Sequence, residues 1–246
     1  MAPNPKLFFF HNPKAGGVSI RSLMRSISDL LRAPVFENNM VDHRRNAADY
    51  SAFKGYDVYE GHYGREIYDQ VADNHLTLTN FRDPITRIVS LYNFFRFSVQ
   101  LSDEELASEV YFAVNFAKTQ SFEAFVRSED EKINVYIQDH HARQLSHSGW
   151  GLSQPADLLK ACETLRTMTW FHILEESELS LRWGEQVFGL PVPELPHENR
   201  SISTTEPLIR ESDMSPSTRH IILDKNKNDL RLFEHAVSEL HKRVRL

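Results

Sequence analysis

Short apolar runs alternate with longer segments of helical period along this chain. Leu7 to Phe10, Tyr56 to Tyr59, Leu76 to Thr79 and Trp170 to Leu174 are compact, aromatic or β-branched, and bounded by turn formers, which is the pattern of buried strands. Between them the apolar positions recur every three to four residues, predicting helices over Val18 to Leu31, Arg65 to Ala72, Ile85 to Phe97, Glu104 to Phe116, Ala156 to Met168, Leu179 to Phe188 and Asn228 to Arg243. Strands alternating with helices imply βαβ units. The expected class is therefore α/β, a three-layer P-loop-like fold with a mostly parallel central sheet flanked by helices. No strand pattern occurs from about 98 to 150, so that stretch reads as a helix-rich excursion from the sheet. The prolines and hydroxyl residues of Leu190 to Pro207 read as a long loop.

With 246 residues and 41% hydrophobic content the chain is expected to form one domain, 1–246, with a substantial core. No apolar run approaches the roughly 18 residues of a spanning helix, and Leu7 to Phe10 is too short for a signal-peptide core. The expectation is a cytoplasmic protein that does not span a membrane. A lone cysteine, Cys162, excludes an internal disulfide framework. The formal net charge of −6 argues against a surface built for nucleic acid or anionic lipid, so any anion site must be local.

One such site is legible at Phe8-Phe9-Phe10-His11-Asn12-Pro13-Lys14-Ala15-Gly16-Gly17-Val18-Ser19-Ile20-Arg21, a strand, a glycine turn and a helix start. The glycines permit a tight turn, and the helix N-terminus turns free N–H groups and a positive dipole end towards whatever occupies it. Lys14 adds a point charge and Ser19 a hydroxyl donor. A nucleotide-triphosphate loop would put lysine after the glycines, followed by the hydroxyl that holds magnesium. Here the lysine precedes them. A P-loop kinase using ATP and magnesium is thereby the weaker enzymatic alternative, and a nucleotide-binding relative without catalysis is another.

A second strand, turn and helix start follows in Thr77-Leu78-Thr79-Asn80-Phe81-Arg82-Asp83-Pro84-Ile85-Thr86-Arg87-Ile88-Val89-Ser90. Asp83 suits the N-cap and Pro84 the first helical position, so Arg82 should project from the turn. Ser90 stands nearly two turns into the helix near the face of Arg87, where both could point at a phosphate; the blander alternatives are a packing serine and a surface ion pair. A third segment, Asp57-Val58-Tyr59-Glu60-Gly61-His62-Tyr63-Gly64, ends another strand in a glycine turn. Its residues of interest are His62, which taken alone in a turn reads more readily as structural, and Glu60, which two positions earlier shares its face and could orient it or act as a base itself.

These segments resemble the 5′-phosphosulfate loop, the 3′-phosphate motif and the catalytic Gly-His segment of sulfotransferases that use 3′-phosphoadenosine 5′-phosphosulfate. The resemblance is to the carbohydrate branch, which includes heparan sulfate and dermatan 2-O-sulfotransferases and bacterial relatives. Those enzymes carry His-x-Pro-Lys-Thr-Gly-Gly-Thr-Ser and Arg-Asp-Pro-x-x-Arg-x-x-Ser; this chain matches the second motif fully and has Ala15 and Val18 where the first has threonines. The resemblance implies that Lys14, Ala15, Gly16, Gly17, Val18 and Ser19 hold the phosphosulfate, that Arg82 and Ser90 hold the 3′-phosphate, and that the product is adenosine 3′,5′-bisphosphate. It further implies catalysis by His62, Lys14 or Glu60 without metal, and a hydroxyl acceptor on a glycan or glycolipid. Nucleic acid is not an expected partner. Asp139-His140-His141 with His147 lacks a matched ligand set for a metal, and the basic end from His241 to Arg245 reads as a solvated helix C-terminus.

Overall fold

The computed structural model describes residues 6–17, 20, 24, 35–37, 50, 53–189 and 207–244. Five strands form its sheet: β1 (Leu7–Phe10), β2 (Val35–Glu37), β3 (Val58–Gly61), β4 (Leu76–Phe81) and β5 (Trp170–Ile173). Their order is β2-β3-β1-β4-β5 and each pairing is parallel, so the carboxyl ends of all five lie along one edge. The expected α/β class with a parallel sheet flanked by helices is what the chain adopts. Of the strands, only β2 went unpredicted; three residues are too few to display a period.

Register sorts the side chains. Phe8 pairs with Tyr59 and Thr77, and Phe10 with Gly61 and Thr79, so these residues share one face. On that face Phe8 and Phe10 lie 5.0 and 5.4 Å from the Tyr68 ring of α1 (Arg65–Val71), and Thr79 meets His141 of α7 (His140–Ser146). Phe9, Glu60, Leu78 and Asn80 occupy the opposite face. All four β1 residues are fully buried, as continuous apolar runs in a parallel sheet should be.

Crossing from β4, α2 (Pro84–Asn93) starts where its chemistry predicts: Pro84 is at the first turn and Asp83 Oδ1 accepts from Thr86 N at 3.0 Å. Its α geometry ends at Asn93 and a π-helical turn, Phe94–Ser98, takes over. The single helix predicted over Glu104 to Phe116 is instead α3 (Asp103–Ala107), a 3₁₀ turn and α4 (Phe112–Thr119). Ser108 breaks it: extended at φ −73°, ψ 141°, its hydroxyl accepts from Val110 N and starts a new turn. Then come α5 (Phe122–Arg127), α6 (Glu131–Ile137) and α7, and Phe125, Ile133 and Tyr92 pack there into a second buried cluster distinct from the one on the sheet.

The remaining helices are α8 (Leu158–Thr167), α9 (Ser177–Phe188), α10 (Pro216–Lys225) and α11 (Lys227–Val244). The basic end of α11 is not simply solvated: Arg243 donates to the Met168 and Arg166 carbonyls at 2.8 Å each, satisfying the C-terminus of α8. Most of the predicted helix Val18 to Leu31 and all of Leu190 to Thr205 and Glu206 fall outside the described residues. Among the described residues no helix is long and apolar enough to cross a membrane.

Candidate active site

The three sequence motifs converge because β3, β1 and β4 are adjacent and end together. The turn after β1 is built on two residues in the left-handed region, Lys14 (φ 65°) and Gly16 (φ 80°). For Gly16 this costs little; for Lys14 it is backbone strain of the kind that clusters at ligand sites. Gly17 is already helical, and a Cβ there would stand 1.9 Å from His11 Nε2. The imidazole of His11 therefore occupies the space a side chain at 17 would need, which explains glycine at that position.

Asn80, the penultimate residue of β4, secures the turn. Its side chain accepts from Asn12 N at 2.7 Å and donates to the carbonyls of Asn12 at 3.0 Å and Ala15 at 2.9 Å. From two residues further on, Arg82 donates to the Lys14 carbonyl at 3.2 Å and, through Nε, to the Thr86 hydroxyl at 3.1 Å. Two cations thus share one glycine turn. Burial, and then the nearby Arg82 guanidinium, lower the Lys14 pKa to about 8. Burial also lowers that of Arg82, with Glu175 and Asp83 opposing. The Lys14 ammonium rests 4.0 Å above the ring of Phe94, at the start of the π turn.

Ser90 is half-buried on α2. Residues four apart on a helix share a face, so Ser90 lies between Thr86, which holds Arg82, and Phe94, which lies under Lys14. That face fronts the glycine turn. Arg87 does not join it and is no surface ion pair either: it is 1% exposed, and its Nη2 donates to the Tyr136 carbonyl at 3.0 Å. Val18 and Ser19 lie outside the described residues.

Just past β3, His62 is half-buried with its ring centroid 4.3 Å from that of His11. Its Nδ1 lies 2.9 Å from the His11 carbonyl. A carbonyl only accepts, so the hydrogen is on Nδ1, and the neutral ring carries its lone pair on Nε2. The group that orients Nδ1 is this carbonyl. Glu60 is 2% exposed within β3, beside Phe9 in the register.

Several supporting residues carried no distinct sequence signal. Gln144 of α7 donates to the carbonyls of His11 at 3.2 Å and Tyr63 at 2.7 Å, bridging the ends of β1 and β3. Trp150 donates its indole N–H to the His62 carbonyl. The tandem histidines are structural: His140 Nδ1 pairs with the Val135 carbonyl and His141 Nε2 with the Thr79 hydroxyl, and burial drives His141 down to about 3. Among the described residues no group of three or more His, Cys, Asp or Glu is arranged to hold a metal ion.

The family model described as Sulfotransferase family matches residues 1–236. The chain belongs to the sulfotransferase family. No curated protein is a significant match to it. Membership accounts for a basic glycine turn at the carboxyl edge of a parallel sheet, where open α/β folds bind ligands, and it makes sulfuryl transfer to a hydroxyl-bearing acceptor the activity of the fold. The residues present fit an anionic donor: two half-buried cations repel one another across a turn whose backbone is strained, and an anion between them relieves that repulsion.

Proposed function

We propose that the chain is an enzyme that transfers a sulfuryl group from 3′-phosphoadenosine 5′-phosphosulfate to an acceptor hydroxyl, with no metal in the step. The observation that carries this reading is the Arg82 to Lys14 contact, which joins the sulfotransferase-like phosphosulfate and 3′-phosphate motifs in one basic turn. When bound, the donor supplies an activated sulfuryl group and a bisphosphate leaving group. Lys14 and the amides of Ala15, Gly16 and Gly17, with Val18 and Ser19 beyond, hold its 5′ end, while Arg82 and Ser90 hold the 3′-phosphate. Thr86 keeps Arg82 aimed.

His62 is the general base. The His11 carbonyl fixes its tautomer, so Nε2 takes the proton of the acceptor hydroxyl. Lys14 stabilises negative charge as it develops at the leaving oxygen, a role that demands the ammonium form. Buried Glu60 shapes the end of β3 rather than meeting the acceptor. The acceptor hydroxyl belongs to a carbohydrate in this reading, as the motif resemblance suggests.

Calorimetric titration in EDTA with adenosine 3′,5′-bisphosphate, ADP and ATP tests the donor site. Metal-independent binding that requires the 3′-phosphate is the expected result. Binding of ATP alone, and only with magnesium restored, would replace this reading with a kinase.

A further inference from the structure

Trp150, whose indole N–H is given to the His62 carbonyl, has a second role as the wall of a cavity of about 390 Å³. The indole stands edge-on to the His62 ring, 6.1 Å between centroids, and 5.3 Å from the ring of Tyr136, which also lines the cavity. The cavity and the proposed base thus flank the same indole, His62 itself lying outside the lining, on the helical side of the molecule. Its volume falls in the range of small-molecule sites.

The chemistry of the lining is selective. Val110, Tyr136 and Trp150 give it an apolar side, and Val110 is 41% exposed there. Glu109, Glu131 and Lys132 give it a polar side, on which Lys132 Nζ pairs with Glu109 Oε1 at 3.2 Å. Two carboxylates and one ammonium, all solvent-exposed, line this side, so a sulfate or uronate entering meets a net negative rim whose repulsion is strongest at low salt. A ring with an apolar face and neutral hydroxyls meets no such repulsion: aromatic and aliphatic surface covers the face, and carboxylate oxygens accept from the hydroxyls.

We infer that this cavity is the acceptor subsite, and that it takes an uncharged hydroxyl compound with one apolar ring face in preference to a sulfated or uronate-rich polymer. The inference rests on the sulfotransferase reading with His62 as base. A neutral glycoside and a phenol share the required chemistry.

The subsite is tested by titrating the protein, with and without adenosine 3′,5′-bisphosphate, with a neutral methyl hexopyranoside, a simple phenol and a heparin-derived tetrasaccharide, followed by saturation-transfer NMR and Trp fluorescence. The expected result is binding of the glycoside or the phenol, with the one that binds naming the source, and weaker binding of the tetrasaccharide. Val110→Trp, which fills the cavity from an exposed position, should weaken that neutral ligand about tenfold or more while bisphosphate affinity and thermal midpoint stay unchanged. Glu131→Lys should improve the tetrasaccharide relative to the neutral ligand. Tighter binding of the tetrasaccharide by the unaltered protein, neutral binding indifferent to Val110→Trp, or no neutral binding at all would overturn the subsite. Failure of the bisphosphate to bind would overturn the donor reading instead, since the nucleotide-free titrations read the cavity by itself.

Discussion

The amide of Asn80 grips Asn12 by both of its backbone groups, accepting from the N–H at 2.7 Å and donating to the carbonyl at 3.0 Å. With its third bond, to the Ala15 carbonyl, one buried side chain replaces the ladder that β1 and β4 can no longer supply once β1 has turned away. Removing a partner leaves buried backbone groups unsatisfied. Asn80→Ala should therefore lower stability by about 2–3 kcal/mol and weaken adenosine 3′,5′-bisphosphate about tenfold or more. Asn80→Asp keeps the acceptor but loses both donors and adds negative charge beside the anion site, so its loss of nucleotide affinity should exceed that of Asn80→Ala. Denaturant melts and calorimetry on the two variants check both statements; equal nucleotide affinity in all three proteins would remove Asn80 from the site.

Lys14 should write its titration into nucleotide binding. Burial and Arg82 hold its pKa near 8, below the ordinary lysine range, so in the free protein it loses its proton as pH rises through 8. An anion binds the protonated form and raises the value again. Above pH 8, where the phosphates are already fully ionised, affinity for the bisphosphate should thus fall by up to about tenfold per unit, with up to one proton taken up on binding. Lys14→Met should bind about 10- to 100-fold more weakly at pH 7 and show no such decline. A wild-type affinity independent of pH up to 10 would contradict this.

Much of this arrangement was legible in the chain itself, and the limits have physical causes. Leu7 to Phe10 is fully buried on both faces, and such runs announce themselves without alternation. The Asp83 cap and Pro84 fixed the start of α2 because cap chemistry is local. Arg82 and His62 each follow a strand directly and Lys14 stands in the turn after β1, so the chain alone marks them as candidates at one sheet edge. Asn80, Gln144 and Trp150 act across long sequence separations, on carbonyls at positions 12, 63 and 62, and no local pattern encodes such a pairing. Arg87 was misplaced for the opposite reason: charge suggests surface, but a carbonyl at Tyr136 and the nearby Asp229 carboxylate support it in the interior.

His62 and Glu60 are separable by kinetics. With His62 as the proposed base, His62→Ala should lower kcat about 10²- to 10⁴-fold with bisphosphate affinity largely retained, because Lys14, Arg82 and the Asn80 bonds that secure the turn are left in place. Glu60→Gln alters a side chain that is 2% exposed within β3, and should show in thermal stability more than in kcat. The measurement is steady-state transfer beside nucleotide titration. Undiminished turnover in His62→Ala, with collapse in Glu60→Gln, would move the base to Glu60.

Asp229 of α11 controls the floor beneath α2. Its carboxylate accepts from His141 N at 3.2 Å and Ala142 N at 2.7 Å, acting as the cap that α7 lacks from its own Asp139, which instead accepts from Asn228 and Asp229 backbone N–H groups. Burial, then the Asp139 charge, push the Asp229 carboxyl above the usual range, against the pull of Arg87. A raised carboxyl binds its proton more tightly in the fold than in the unfolded chain. Its stabilising contribution is complete below the ordinary aspartate value near 4 and is lost as pH rises through the raised value. Asp229→Ala should cost about 3 kcal/mol by exposing two buried N–H groups and stripping Arg87 of its nearest compensating charge. Asp229→Asn retains an acceptor and cannot ionise, so the difference in stability between wild type and this variant should shift against wild type as pH climbs from 4 to 7. Chemical denaturation at a series of pH values reads that slope, and a difference of the opposite sign would mean that Arg87, not desolvation, governs the pair.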